Sequence, residues 1–173
     1  MRTNIFNMVF MLLVTNSCSS QSKTYGSNLE IIFPATVDMN MLKNGQDAVI
    51  INNSDQTYII DPYSFNVDVK VIENNNEIRP YRQKLYGSYP RDIDDCKETV
   101  FIVKPKEKIT VKMFLFPLNH YNFSSDKKYV LRSIASFNKN SLIGCNEYID
   151  QLEKKGYKIP DVKLNITSKL LLK

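Results

Sequence analysis

Cysteine, histidine and clustered carboxylates are the side chains that most often do chemistry, and this chain carries few of them: three cysteines, one histidine and the acidic run "DIDDC". His120, in "PLNHYNF", is the only imidazole, so a Ser-His-Asp arrangement has no other base to use. No GxSxG elbow surrounds any serine, and His120 reads as a surface residue among turn-forming Asn and Pro. Asp92, Asp94 and Asp95 are hard oxygen ligands at a spacing that calcium could use. They lack the glycine and the bidentate glutamate of an EF-hand loop, and a solvated acidic turn is the plainer reading. The five glycines are dispersed, so no phosphate-cradling loop exists. These absences lead to the expectation of a non-enzymatic protein with no catalytic residue, no metal and no cofactor.

The segment with the strongest binding chemistry is "YRQKLYGSYPRDIDD". Tyr81, Tyr86 and Tyr89, with Arg82 and Arg91, place large amphipathic rings and bidentate donors on a long stretch without periodicity. Such side chains dominate interface hot spots, because they cover much area at low entropy cost and keep a polar handle. Long aperiodic loops are uncommon unless functional or disordered. These five residues are therefore the candidate partner-binding set. The alternative is that the tyrosines pack on their own domain.

Cys18 has a different setting. Arg2 and an apolar stretch from Ile5 to Val14 precede it, then Thr15, Asn16 and Ser17, and "SSQSKTYGSN" follows. The apolar stretch is too short to span a bilayer as a helix and has the layout of a signal peptide. "VTNSC" resembles the lipobox of bacterial lipoproteins, with Thr15 where leucine is commonest and Asn16 where a small residue is preferred. The resemblance implies cleavage before Cys18 and lipidation of its sulfur, since the lipid is attached as a thioether. Two or three acyl chains anchor stably where one is marginal. Residues 1–17 are then a lipoprotein signal, 18–28 the lipidated cysteine and a flexible tether, and 29–173 a single domain. An ordinary cleaved secretory signal is the competing reading of the same residues. Ser19 rather than Asp after the cysteine resembles outer-membrane sorting, which implies a periplasmic domain in the bacterial envelope.

With Cys18 consumed by lipid, Cys96 and Cys145 remain as a pair in a compartment that permits disulfides. A bridge would close a loop of roughly fifty residues, contributing on the order of 4 kcal/mol in the chain-entropy account. Two free buried thiols are the alternative. The formal net charge of +5 is spread over lysines interleaved with acids, so nucleic acid is not an expected partner.

The elements that position these residues are mostly strands. Period-two alternation marks Leu29 to Phe33, ended by Pro34, and Ala48 to Asn52, with a continuation at Tyr58 to Ile60 after "NNSDQ". Phe65, Val67, Val69 and Val71 share a face, and Asn74 to Asn76 form the turn that follows. "ETVFIVKPKEKITVKMFLFP" reads as a hairpin about "KPKEK", with Ile109, Val111, Met113 and Leu115 on one face. Tyr129, Leu131 and Ala135 mark another strand, and Val162 to Leu172 the last. A single short helix is expected in "CNEYIDQLEKKG", where Ile149 and Leu152 are three apart and Gly156 stops the helix.

About seven strands and one helix before the last strand predict an all-β, immunoglobulin-like β-sandwich. "AVIINNSDQTYII", "IVKPKEKITV", "KKYVLRSIASF" and "TSKLLL" in that order look like immunoglobulin-like domains of bacterial envelope lipoproteins. They look more faintly like the bacterial intracellular proteinase-inhibitor family, which shares a similar sandwich. The first resemblance implies a membrane-anchored binding or accessory module for another envelope protein, an immunity protein being one form of it. The second implies a proteinase inhibitor, without any inhibitory loop motif that maps onto numbered residues.

Overall fold

The computed structural model describes residues 20–22, 28–81, 91–118, 120–142 and 144–172. In chain order the elements are β1 (Ser20–Ser22), β2 (Leu29–Phe33), β3 (Thr36–Asp38), α1 (Met39–Asn44), β4 (Gln46–Asn52), β5 (Tyr58–Ile60), β6 (Asn66–Glu73) and β7 (Asn76–Ile78). Then follow α2 (Ile93–Thr99), β8 (Phe101–Val103), β9 (Lys108–Met113), β10 (Tyr129–Phe137), a 3-10 turn (Lys139–Ser141), α3 (Asn146–Lys154) and β11 (Val162–Leu171).

The strands form a four-stranded sheet ordered β1-β2-β4-β9, a five-stranded sheet ordered β3-β11-β10-β6-β7, and a separate β5-β8 pair. Alternation explains their packing. Along β11, Val162, Leu164, Ile166, Ser168 and Leu170 are buried while the lysines and Asn165 between them are exposed. Their buried face joins Leu131, Ala135 and Phe137 of β10 and Val69 and Val71 of β6 in one core. The same core takes Leu29, Ile31 and Phe33 from β2, Ala48 and Ile50 from β4, and Val111 and Met113 from β9. Each sheet thus covers the apolar face of the other.

The β6–β7 hairpin shows why the asparagines are there. Asn74 and Asn75 have φ of 46° and 71°, the left-handed pair that a two-residue type I′ turn requires. Asparagine tolerates that region better than other side chains with a Cβ. Beside this turn, Lys127 holds Glu73 at 2.7 Å and keeps its carboxyl below the ordinary glutamate range. A depressed folded-state pKa makes the pair stabilising above the unfolded value and lost as pH falls through the folded one. Carboxyl NMR should find Glu73 titrating below free glutamate, and Lys127→Ala should return it towards the ordinary value.

Several expectations need correction. "KPKEK" does not close a hairpin: β8 pairs with β5, whereas β9 pairs with β4, so the chain changes sheet at this turn. Tyr58–Ile60 is likewise no continuation of β4, since its partner is β8. The cause is Asn52, fully buried at the end of β4. Its amide nitrogen donates to the carbonyls of Gln56 (2.7 Å), Val103 (3.1 Å) and Lys104 (2.9 Å), and its oxygen accepts from Ser54. One side chain satisfies two turns at once. Asn52→Ala should lower stability by about 2 kcal/mol, because those carbonyls would lose their donor. An unchanged urea midpoint would dismiss that role for Asn52.

Three helices are present rather than one, α1 and α2 being additional, and three-residue strands bring the strands to eleven among the described residues. Ser20–Ser22, within the segment expected to be a tether, pair antiparallel with β2, Ser20 opposite Phe33. Among the described residues, no helix is long and apolar enough to cross a membrane.

Candidate functional site

The structure divides the five partner-binding candidates. Tyr81 is exposed, its backbone N–H donates to the His120 carbonyl at 2.9 Å, and its ring meets the His120 imidazole edge-on with centroids 6.2 Å apart. Arg82, Tyr86 and Tyr89 lie outside the described residues, as does Cys18. Arg91 faces inward: its guanidinium forks onto the Asp61 carboxylate, Nη1 to Oδ1 at 3.0 Å and Nη2 to Oδ2 at 2.5 Å.

This ion pair is buried. The Asp61 side chain is 0% exposed and that of Arg91 11%. Burial of charge is tolerable only when hydrogen bonds complete the coordination, and here they do. Asp61 also accepts from the Ser64 hydroxyl at 2.5 Å and the Tyr63 backbone N–H at 3.1 Å, while Arg91 also donates to Thr99 at 3.2 Å. The local sequence "DPYS" explains the geometry, because an aspartate before Pro readily accepts from the backbone two residues on.

Next to Arg91 the acidic run becomes a helix start. The Asp92 carboxylate accepts from the backbone N–H of Asp94 (2.9 Å) and Asp95 (2.8 Å), and the Asp95 carboxylate reaches back to the Asp92 N–H. This reciprocal cap opens α2 and corrects the reading of "DIDDC" as an acidic turn. Asp94 instead pairs with Lys97 at 2.7 Å, which raises the lysine's pKa. Among the described residues, no cluster of three or more His, Cys, Asp or Glu is placed to hold a metal ion.

Cys96 on α2 is bonded to Cys145 at the start of α3, with Cα atoms 5.7 Å apart and both residues buried. The bridge sits in a small core of its own with Ile59, Val100, Ile149 and Leu152. A cleft of about 220 Å³, lined in part by Arg91, Asp92, Cys96, Cys145 and Tyr148, opens beside it. A second depression of about 290 Å³ lies between α1 (Met39, Leu42, Lys43) and Leu118, Tyr121 and Phe123.

No protein-family model, curated protein or solved structure matches this chain. Any functional reading therefore rests on the residues themselves. Two of their features could not be reached from the sequence. Asp61 was invisible as the partner of Arg91, thirty residues away, although its Asx-turn chemistry was readable. The depression beside α1 depends on a helix of six residues, too short for an apolar periodicity to register.

What the arrangement does mechanically is clear from its two ends. The chain enters residues 82–90 from Tyr81, tied to His120, and leaves them at Arg91, locked on Asp61 and followed by a capped, disulfide-bonded helix.

Proposed function

We propose that this protein is a non-enzymatic, lipid-anchored binding module of the bacterial envelope that presents residues 81–91 to another envelope protein. The observation that carries the reading is the clamp at both ends of that segment, Tyr81 to His120 and Arg91 to Asp61. Its sequence, "YRQKLYGSYPR", contains three tyrosines and two arginines besides one lysine, and no carboxylate. With Arg91 turned inward onto Asp61, the rings together with Arg82 and Lys84 favour a partner surface with acidic and apolar groups.

The anchor in this reading is a thioether lipid on Cys18, the domain lying in the periplasm at the outer membrane. The scaffold is an immunoglobulin-like sandwich, a reading supported by strand order. One sheet contains the run β2-β4-β9, with β1 outside β2; the other begins with β3, parallel to β11, and continues through β10 and β6 to β7. The β2-β4-β9 and β11-β10-β6 runs resemble the A-B-E and G-F-C runs of immunoglobulin domains, which supports the reading.

The test is cross-linking in native membranes with mass spectrometry of the captured proteins. The expected result is one dominant envelope protein linked through residues 81–91, lost on Tyr86→Ala/Tyr89→Ala while the melting temperature is unchanged. Equal capture by that variant would remove the segment from the interface.

A further inference from the structure

We infer that the end of the sandwich carrying α1 rests on the lipid surface itself, with Met39 and Leu171 entering the headgroup region. The inference depends on the anchor at Cys18 and adds to it an orientation that lipidation alone does not supply.

Chain length sets the first constraint. Ser20 pairs opposite Phe33, so only two residue steps separate the paired strand from Cys18. Two extended residues reach at most about 7 Å. A lipid on Cys18 therefore holds the end of the domain near Phe33 within about that distance of the bilayer surface, whatever path the backbone takes.

The same end gathers exposed apolar side chains. Phe33 leads through Pro34 and Ala35 into β3, whose last residue, Asp38, lies opposite Leu171, and Met39 follows directly. Met39 is 40% exposed and Leu171 46%. After α1 the chain turns at Gly45, against which the Phe114 ring packs, and β9 ends there with Met113 opposite Gln46. Leu42, Leu118, Tyr121 and Phe123 line the depression between them. Ile134 is the contrasting case: it is 57% exposed in the middle of β10, on the outer face of the five-stranded sheet.

The apolar side chains at this end stand among charged side chains of both signs. Lys43 borders the depression and Lys128 lies beside the Glu73–Lys127 pair; both are exposed, and neither makes an ion pair among the described residues. Glu73 is matched by Lys127 and Asp47 by Lys112, while Asp38, which caps α1 through the Met41 N–H, and Asp126, which accepts from Ser124, keep their negative charge. Exposed apolar side chains beside lysines, whose long stems carry the ammonium up to headgroup level, are the pattern of an interfacial contact, which buries side chains roughly 5–10 Å into the headgroup boundary.

The chain has no tryptophan, so single substitutions supply a clean fluorophore. Full-length Met39→Trp, Leu171→Trp and Ile134→Trp would be purified after cellular processing and reconstituted into phosphatidylethanolamine–phosphatidylglycerol vesicles with or without brominated lipid. Their lipidation would be read by mass spectrometry and their folding by thermal melting. The expected result is a blue shift and loss of about half or more of the emission at positions 39 and 171, with little change at 134. Because both replaced residues are exposed, either variant suffices if the other melts early. A lipidated chain quenched equally at all three positions, or at none, overturns the orientation and leaves the anchor standing. A chain without lipid at Cys18 overturns both.

Discussion

Asp61→Ala should cost the domain about 3–5 kcal/mol, the range for removing one partner of a buried ion pair. The expectation follows from what is left behind. Arg91 would keep its charge in a site where its side chain is 11% exposed, having lost the carboxylate that takes both of its terminal nitrogens. A guanidinium cannot escape by losing its proton. It must stay without that carboxylate or swing out, and swinging out releases the start of α2. Urea denaturation of the single variant checks the magnitude. Asp61→Ala/Arg91→Met should recover much of the loss, because the uncompensated charge is gone and its volume stays filled. If the double variant falls by the sum of the singles, the pair is not coupled. Partner capture should also weaken in Asp61→Ala at temperatures where the sandwich still holds, since one end of the 81–91 segment would be released.

Cys96→Ser is expected to lower stability by about 4 kcal/mol, the chain-entropy value for a sequence separation of 49 residues. The thermal midpoint of the variant, compared with that of the reduced wild-type protein, measures it. Matching midpoints would assign the effect to the bond, and a much lower one for the variant would point to disturbance of the small core around Ile59 and Leu152. The bond joins α2 to the start of α3, neither of which pairs with a strand of the two large sheets. Its loss should therefore show first in hydrogen exchange of these helices, with β10 and β11 protected to higher denaturant.

The strands that face the main core were readable because burial imposes a period of two over five residues or more. Leu29–Phe33 carries the bounds expected of it, and β11 keeps its alternation over its whole length. The helix at Asn146–Lys154 was readable too, since Ile149 and Leu152 are its buried residues and Gly156, at φ 86°, ends it. The misses share one cause: side chains acting across sequence distance. Nothing local says that Asn52 donates to carbonyls 51 and 52 residues away, yet those bonds part β8 from β9. The start of α2 is a different kind of miss. Asp92 and Asp95 at a three-residue spacing were a capping signal in plain view, passed over for a solvated acidic turn. In the candidate site, the pairing of Cys96 with Cys145 was legible from cysteine arithmetic, whereas the inward turn of Arg91 was not, because arginine's chemistry serves a buried carboxylate as well as a partner's.

The pairing of Ser20–Ser22 with β2 alters how the protein would search for whatever it binds. Ten flexible residues would let the domain wander through a shell about 18 Å deep above its lipid. With the lipid proposed at Cys18, two residues would confine it to about 7 Å, and the search would become lateral diffusion in a plane. For a partner whose contact surface lies at that same height, confinement raises the local concentration without a single added contact. A partner projecting well above the bilayer would be out of reach, however complementary its surface. Height above the membrane then becomes a filter on partners that acts before any side chain is read.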